Sequence, residues 1–140
     1  MDIAYLVTPL ITWILVGPIK FLINSARTRQ WAFGLVGNGG FPSNHSAVTT
    51  SMATLIALRE GIDSPAFGVA VTLAFIVMID ANSLRQHVGR QAAAINRLAG
   101  SAAGHTHLRE RMGHTLVEIG GGICTGIGMG FLLFNLYSMF

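Results

Sequence analysis

Residues 119–140 run for 22 positions without one charged side chain, and no other feature constrains the fold as strongly. A helix that crosses a membrane needs about 20 mainly apolar residues. A water-soluble helix of that length ordinarily keeps a polar face. Charge is also missing from Ile3 to Ile19, from Ser46 to Leu58 and from Ser64 to Ile79. The first of these runs is long enough to span, and the third is when Asp63 and Asp80 form its ends. The second measures about 20 Å as a helix. It spans only if its polar starting residues sit inside the protein at membrane depth.

The reading is therefore all-α, a multi-pass membrane helical bundle. About four transmembrane helices are expected, at 3–23, 45–60, 64–84 and 115–138. A short amphipathic helix over 91–98 is expected within the 85–114 loop, with a flexible link from Gly100 to Gly104. One domain accounts for residues 1–140. Hydrophobic residues make up 51% of the chain and charged residues 11%, against about 25% charged in soluble domains. That balance excludes a disordered chain. Cys124 stands alone, which leaves no intramolecular disulfide and no Cys-x-x-Cys motif. The first helix lacks a basic leader and has Lys20 where a cleavage site would fall, so it is expected to be a span rather than a removed signal peptide.

Nine residues are Lys or Arg, and eight of those are arginine. If the helices alternate in direction, Lys20, Arg27, Arg29, Arg85, Arg90, Arg97, Arg109 and Arg111 share one end. Only Arg59 lies at the other. Cytoplasmic loops collect such charge, so this end is expected on the cytoplasmic side of the cell (inner) membrane. Arginine is also the side chain best suited to phosphate in a dry site, so the same asymmetry fits an anion site at the membrane surface. The partners expected are the bilayer and an anionic lipid, with no nucleic acid and with a homo-oligomer left open.

Three short patterns bear on chemistry. Gly39-Gly40-Phe41-Pro42-Ser43-Asn44-His45 runs into an apolar helix, whose free N–H groups and dipole attract phosphate; the plain alternative is an N-cap. His114-x3-Glu118 places an imidazole and a carboxylate on one helical face. The acid can fix the ring's tautomer and leave the other nitrogen as a nucleophile; the plain alternative is an acid at a helix start. Lys20-x6-Arg27 spans about two helical turns, so both cations can face one pocket or can snorkel at the membrane edge. The spacing of His105, His107 and His114 lacks an i, i+4 histidine pair, and no metal site is expected. Gly122, Gly126 and Gly130 repeat every four residues, as in close membrane-helix contacts.

In order, these pieces resemble the type 2 phosphatidic acid phosphatase superfamily, which includes vanadium-dependent haloperoxidases, and more closely its short divergent branch. The superfamily signature is Lys-x6-Arg-Pro, Pro-Ser-Gly-His and Ser-Arg-x5-His-x3-Asp. Lys20 and Arg27 match the first element, with Thr28 in place of proline. Pro42-Ser43-Asn44-His45 matches the second, with Asn44 in place of glycine. Ser83-Leu84-Arg85 and His114 through Glu118 match the third, split so that Arg85 and His114 lie 29 positions apart, with Glu118 in place of aspartate. Asp80-Ala81-Asn82-Ser83-Leu84-Arg85, Gly89-Arg90-Gln91-Ala92 and Met112-Gly113-His114 follow the divergent branch.

The resemblance implies a membrane phosphatase acting on a lipid phosphate or isoprenyl diphosphate without metal or cofactor. It implies His114 as nucleophile, Glu118 as its orienting acid and His45 as the proton donor to the leaving oxygen. Lys20, Arg27, Ser43, Asn44 and Arg85 would hold the phosphate. Asp80 has no counterpart in the general signature; it pairs with Arg85 or Arg90 to shape the site or is a charge-paired acid at an interfacial helix end, and Arg109 and Arg111 would support a second phosphate or serve as loop charge. The rival function is a non-catalytic membrane protein that binds anionic lipid through the same cations.

Overall fold

The computed structural model describes residues 3–28, 40–100 and 106–139, the side chains of residues 27 and 28 excepted. Five α-helices follow one another: α1 (Ala4–Thr28), α2 (Asn44–Glu60), α3 (Pro65–Ile79), α4 (Arg85–Ala99) and α5 (Leu116–Ser138). A π turn at Asp80–Leu84 joins α3 to α4 without a break, so Pro65–Ala99 is a single 35-residue rod. No strand occurs among the described residues.

Three helices are long and apolar enough to cross a membrane: Ala4–Ala26, Pro65–Ala99 and Leu116–Ser138. Their large apolar side chains point outward, as Leu6, Leu10 and Ile14 do on α1 and Val69, Leu73 and Ile76 do on α3. In water that arrangement would be costly; against lipid tails it is the expected one. The fourth helix, α2, has 17 residues, about 26 Å, and α1, α3 and α5 all pack against it.

Two serines of α2 are turned inward. Ser46 and Ser51 are fully buried. The Thr12 hydroxyl of α1 donates to Ser51 Oγ at 2.9 Å, and Ser51 donates to the Val48 carbonyl at 2.9 Å. These bonds satisfy hydroxyls that lipid could not.

Glycine sets the approach of α5 to α2. A Cβ on Gly122 would lie 2.5 Å from the Ser43 carbonyl oxygen, and one on Gly126 would lie 2.5 Å from that of Ala47. One on Gly130 would lie 2.5 Å from Thr54 Cβ. Gly120 and Gly128, on the other faces, have nothing within 4 Å. The four-residue repeat is thus a helix contact, and the dispersion gained by close backbones holds it. At the far end of the bundle, the Arg59 guanidinium sits 5.5 Å from the ring centres of both Tyr5 and Tyr137. These two cation–π contacts tie α1, α2 and α5 together.

The connections follow from local chemistry. Gly61, at φ +87°, closes α2. Ser64 then caps α3 by accepting from Phe67 N at 3.2 Å, with Pro65 in the first helical position, where its missing N–H costs nothing. So short a turn makes α2 and α3 antiparallel neighbours.

The expected boundaries are extended in two places. The first helix runs to Thr28 rather than 23, which carries the Arg27 backbone into α1. The third does not stop at 84, and the amphipathic stretch expected over 91–98 is the end of the same rod rather than a separate helix. No proline or helix-ending glycine interrupts residues 80–88, and the rod ends at Gly100, at φ +53°. Residues 101–104 of the expected link, His105, and the loop residues Arg29 and Gly39 lie outside the described residues.

Candidate functional site

The ends of α1 and α3 and the starts of α2 and α5 meet around one cavity of about 450 Å³. Its polar lining comes from Lys20, Asn44, His45, Thr49, Arg85, Arg109 and His114; its apolar lining comes from Trp13, Val48, Val77 and Met112. None of these residues is acidic. Lys20 and His114 are buried, at 9% and 6% exposure. A lysine this dry, sharing the lining with Arg85 and Arg109 and with no acid in the cavity wall, makes a strong field for an anion.

Thr115 and Glu118 form a capping box at the start of α5. The Thr115 hydroxyl accepts from Glu118 N at 3.3 Å, and Glu118 Oε2 accepts from Thr115 N at 3.0 Å. The same Oε2 lies 3.1 Å from His114 Nδ1. The other oxygen, Oε1, accepts from Gly40 N at 3.1 Å. One carboxylate therefore starts α5, orients the imidazole and holds the loop that leads into α2. The ring nitrogen left for the cavity is Nε2.

Burial pushes His114 below the ordinary histidine value of 6.5. Lys20 and Arg85 act in the same direction, and the bond to Glu118 partly opposes them. The ring is neutral at pH 7, the form in which nitrogen carries a lone pair. The His45 ring stands edge-on to it, with centroids 6.0 Å apart.

The backbone of His114 is fixed by the α3–α4 rod. His114 N donates to the Ala81 carbonyl at 2.8 Å, and Gln86 Nε2 donates to the His114 carbonyl at 3.1 Å. Gly113 precedes it at φ +89°, and a Cβ there would lie 3.0 Å from Ala81 O and 2.9 Å from Gln86 Cγ. Ala81 belongs to the π turn, and such turns recur at functional sites. The same turn brings two residues five apart onto one face, so that Arg85 Nε meets Asp80 Oδ2 at 3.0 Å. Of the two partners expected for Asp80, the one found is Arg85.

Several site residues expected from the sequence converge here: Lys20, Asn44, His45, Arg85, Arg109 and His114 line the cavity, with Glu118 behind His114. Asn44 stands where the phosphatase signature has glycine, and its Oδ1 is buried with no hydrogen-bond partner among the described residues. The Asn44 and His45 N–H groups stand at the positive end of the α2 dipole.

Two of the expected residues stand outside the cavity lining. Ser43 is fully buried and does not line the cavity; its Oγ caps α2, accepting from Ser46 N at 3.4 Å and from Ser46 Oγ at 3.0 Å. A hydroxyl at the cap faces the helix's own N–H groups, which is why it is turned from the ligand space. Arg111 is exposed and also absent from the lining; its carbonyl accepts from Arg109 Nε at 3.2 Å. The Arg27 side chain lies outside the described residues. Sequence reasoning missed Gln86 and the Thr115–Glu118 box. The Thr-x-x-Glu spacing before an apolar run was a signal for the box; nothing marked Gln86.

The model of the family described as "Divergent PAP2 family" matches residues 1–129. The uncharacterized membrane protein YuiD of Bacillus subtilis (strain 168) is 35% identical over 126 residues, covering 79% of this chain and 78% of that protein. No solved structure matches.

Proposed function

The chain belongs to the divergent PAP2 family, and from that premise we propose that this membrane protein is a hydrolase. The substrate class is a lipid phosphate or isoprenyl diphosphate, cleaved through a phosphohistidine. The observation that carries this reading is the His114 ring: Nδ1 is held 3.1 Å from Glu118, and the ring borders a cavity shared with His45, Lys20 and Arg85.

In the proposed reaction, His114 Nε2 attacks phosphorus and the bond to the leaving oxygen breaks. His45, protonated, gives its proton to that oxygen. Water then attacks the phosphohistidine, His45 takes a proton from it, and phosphate leaves with the His114 nitrogen restored. Lys20 and Arg85 face the phosphoryl oxygens and stabilise the charge spread over them in the transition state. Glu118 keeps the nucleophilic ring in one tautomer and stabilises its positive charge once the phosphoryl group is on it. Trp13, Val48 and Val77 offer the apolar part of the substrate a wall continuous with the bilayer.

In this reading α2 is the fourth span, short because α1, α3 and α5 enclose it. The membrane is the cell (inner) membrane, with the site on the cytoplasmic side. The test is phosphate release from farnesyl diphosphate and from phosphatidate by purified protein, with and without vanadate. Turnover that vanadate blocks and His114→Ala abolishes is the expected result. Phosphate binding with no turnover of any lipid phosphate would replace the hydrolase with an anion binder.

A further inference from the structure

The strap that delivers His114 is stitched to the α3–α4 rod at both ends. At one end His114 N bonds the Ala81 carbonyl. At the other, the buried side chain of Asn96, 9% exposed, pairs with both backbone groups of Leu108. Asn96 Nδ2 donates to the Leu108 carbonyl at 2.7 Å, and Asn96 Oδ1 accepts from Leu108 N at 2.9 Å. Asn96 Nδ2 also donates to Glu110 Oε1 at 2.9 Å and lies 3.4 Å from His107 Nδ1. An amide offering a donor and an acceptor to one residue acts as a strand neighbour would.

The helix face beneath the strap is made to receive it. Gly89, Ala92 and Asn96 are the buried residues of α4, spaced along one side. A Cβ on Gly89 would collide with the Glu110 carbonyl oxygen, so only glycine lets the strap lie this close. Leu108 and Glu110 are thus both fixed, and the residue between them is Arg109, which lines the cavity.

We propose that Asn96 is a positioning residue for Arg109: it clamps the strap so that this guanidinium stands over the anion in the cavity. The inference rests on the cavity being a phosphate site. Arginine loses rotamer entropy when it is ordered, and a root fixed on both sides limits what must be ordered when the anion binds. Removing the clamp frees that root and weakens binding through Arg109 alone.

The experiment is a double-mutant cycle on the full chain in detergent, with Asn96→Ala, Arg109→Ala and both together. Two readouts run side by side: kcat and KM on farnesyl diphosphate, and the affinity for inorganic phosphate. Each single variant is expected to weaken phosphate binding and raise KM by about tenfold, more than it changes kcat. The double variant is expected to be no worse than Arg109→Ala, because the effect of Asn96 runs through Arg109. Losses that multiply, or an Asn96→Ala protein with unchanged affinity and KM, overturn the proposal. Where Asn96→Ala does not fold, Asn96→Asp keeps the acceptor for Leu108 N and takes its place in the cycle. A wild-type protein with no turnover would sink the hydrolase reading, while the phosphate affinities would still decide this one.

Discussion

Replacing Gly122 with alanine tests the packing and the site together. The added Cβ would lie 2.5 Å from the Ser43 carbonyl oxygen and 2.7 Å from Ser46 Cβ. An ordinary contact begins at 3.4 Å, so α5 and the start of α2 must separate by roughly 0.9 Å. Overpacking of this kind costs about 1–3 kcal/mol, against a gain of about 1 kcal/mol from alanine's helix propensity. Gly120→Ala has the same propensity gain with nothing within 4 Å. Gly122→Ala is therefore expected to be less stable than Gly120→Ala by about 1–3 kcal/mol, read as thermal unfolding in one detergent. The separation also stretches the bond from Ser43 N to the Glu118 carbonyl, now 2.9 Å, and so moves His45 on α2 away from His114 and from Glu118 in the first turn of α5. A displacement near 1 Å costs on the order of 10²-fold in rate, so phosphate release should fall by about that factor in Gly122→Ala. Equal stability and equal turnover in the two variants would refute the reasoning.

The remaining predictions concern pH and orientation. Because the working form of His114 is neutral and burial depresses its pKa, the acid limb of kcat/KM should lie below 6.5, while the need for a protonated His45 sets a separate fall as pH rises. Glu118→Gln removes a partner that favours the protonated ring, so the acid limb should shift to still lower pH while kcat drops; a shift upward would contradict the assigned role. In a Cys124→Ala background, an impermeant thiol reagent added to intact cells should label Ser138→Cys and spare Thr106→Cys, and the reverse pattern would overturn the cytoplasmic placement.

The spans at the two ends of the chain were legible because length and absence of charge suffice to identify them. The Pro65–Ala99 rod was not. Asp80, Asn82, Ser83 and Arg85 read as the polar end of a helix, yet a π turn carries the backbone through them. Residue type also left Ser43 ambiguous: a serine before a helix is equally a cap or a ligand, and only its burial against Ser46 decides. Arg109 and Arg111 looked equivalent as neighbours of His114. What separates them is where the strap lies on α4, and that depends on Gly89 and Asn96, unremarkable letters in an amphipathic stretch. Lys20, His45, Arg85, His114 and Glu118 were singled out because their chemistry and order match a known pattern; spacing alone would have left each with a bland alternative.

The Arg59 contacts at the far end join the first, second and last helices, through Tyr5 and Tyr137. During synthesis these two tyrosines leave the ribosome at very different times: at about 5–20 residues per second, the interval is roughly 7–26 s. For the part of that interval after Arg59 emerges and before residues 122–137 follow, Arg59 has only one of its rings and α2 lacks the glycine face that packs on it. The nascent membrane protein must therefore keep its earlier helices around an unfilled place, and α5 completes both ends on arrival. Truncation anywhere before Tyr137 leaves the far end unclosed, and truncation before Glu118 also removes the only described carboxylate that bridges His114 and Gly40.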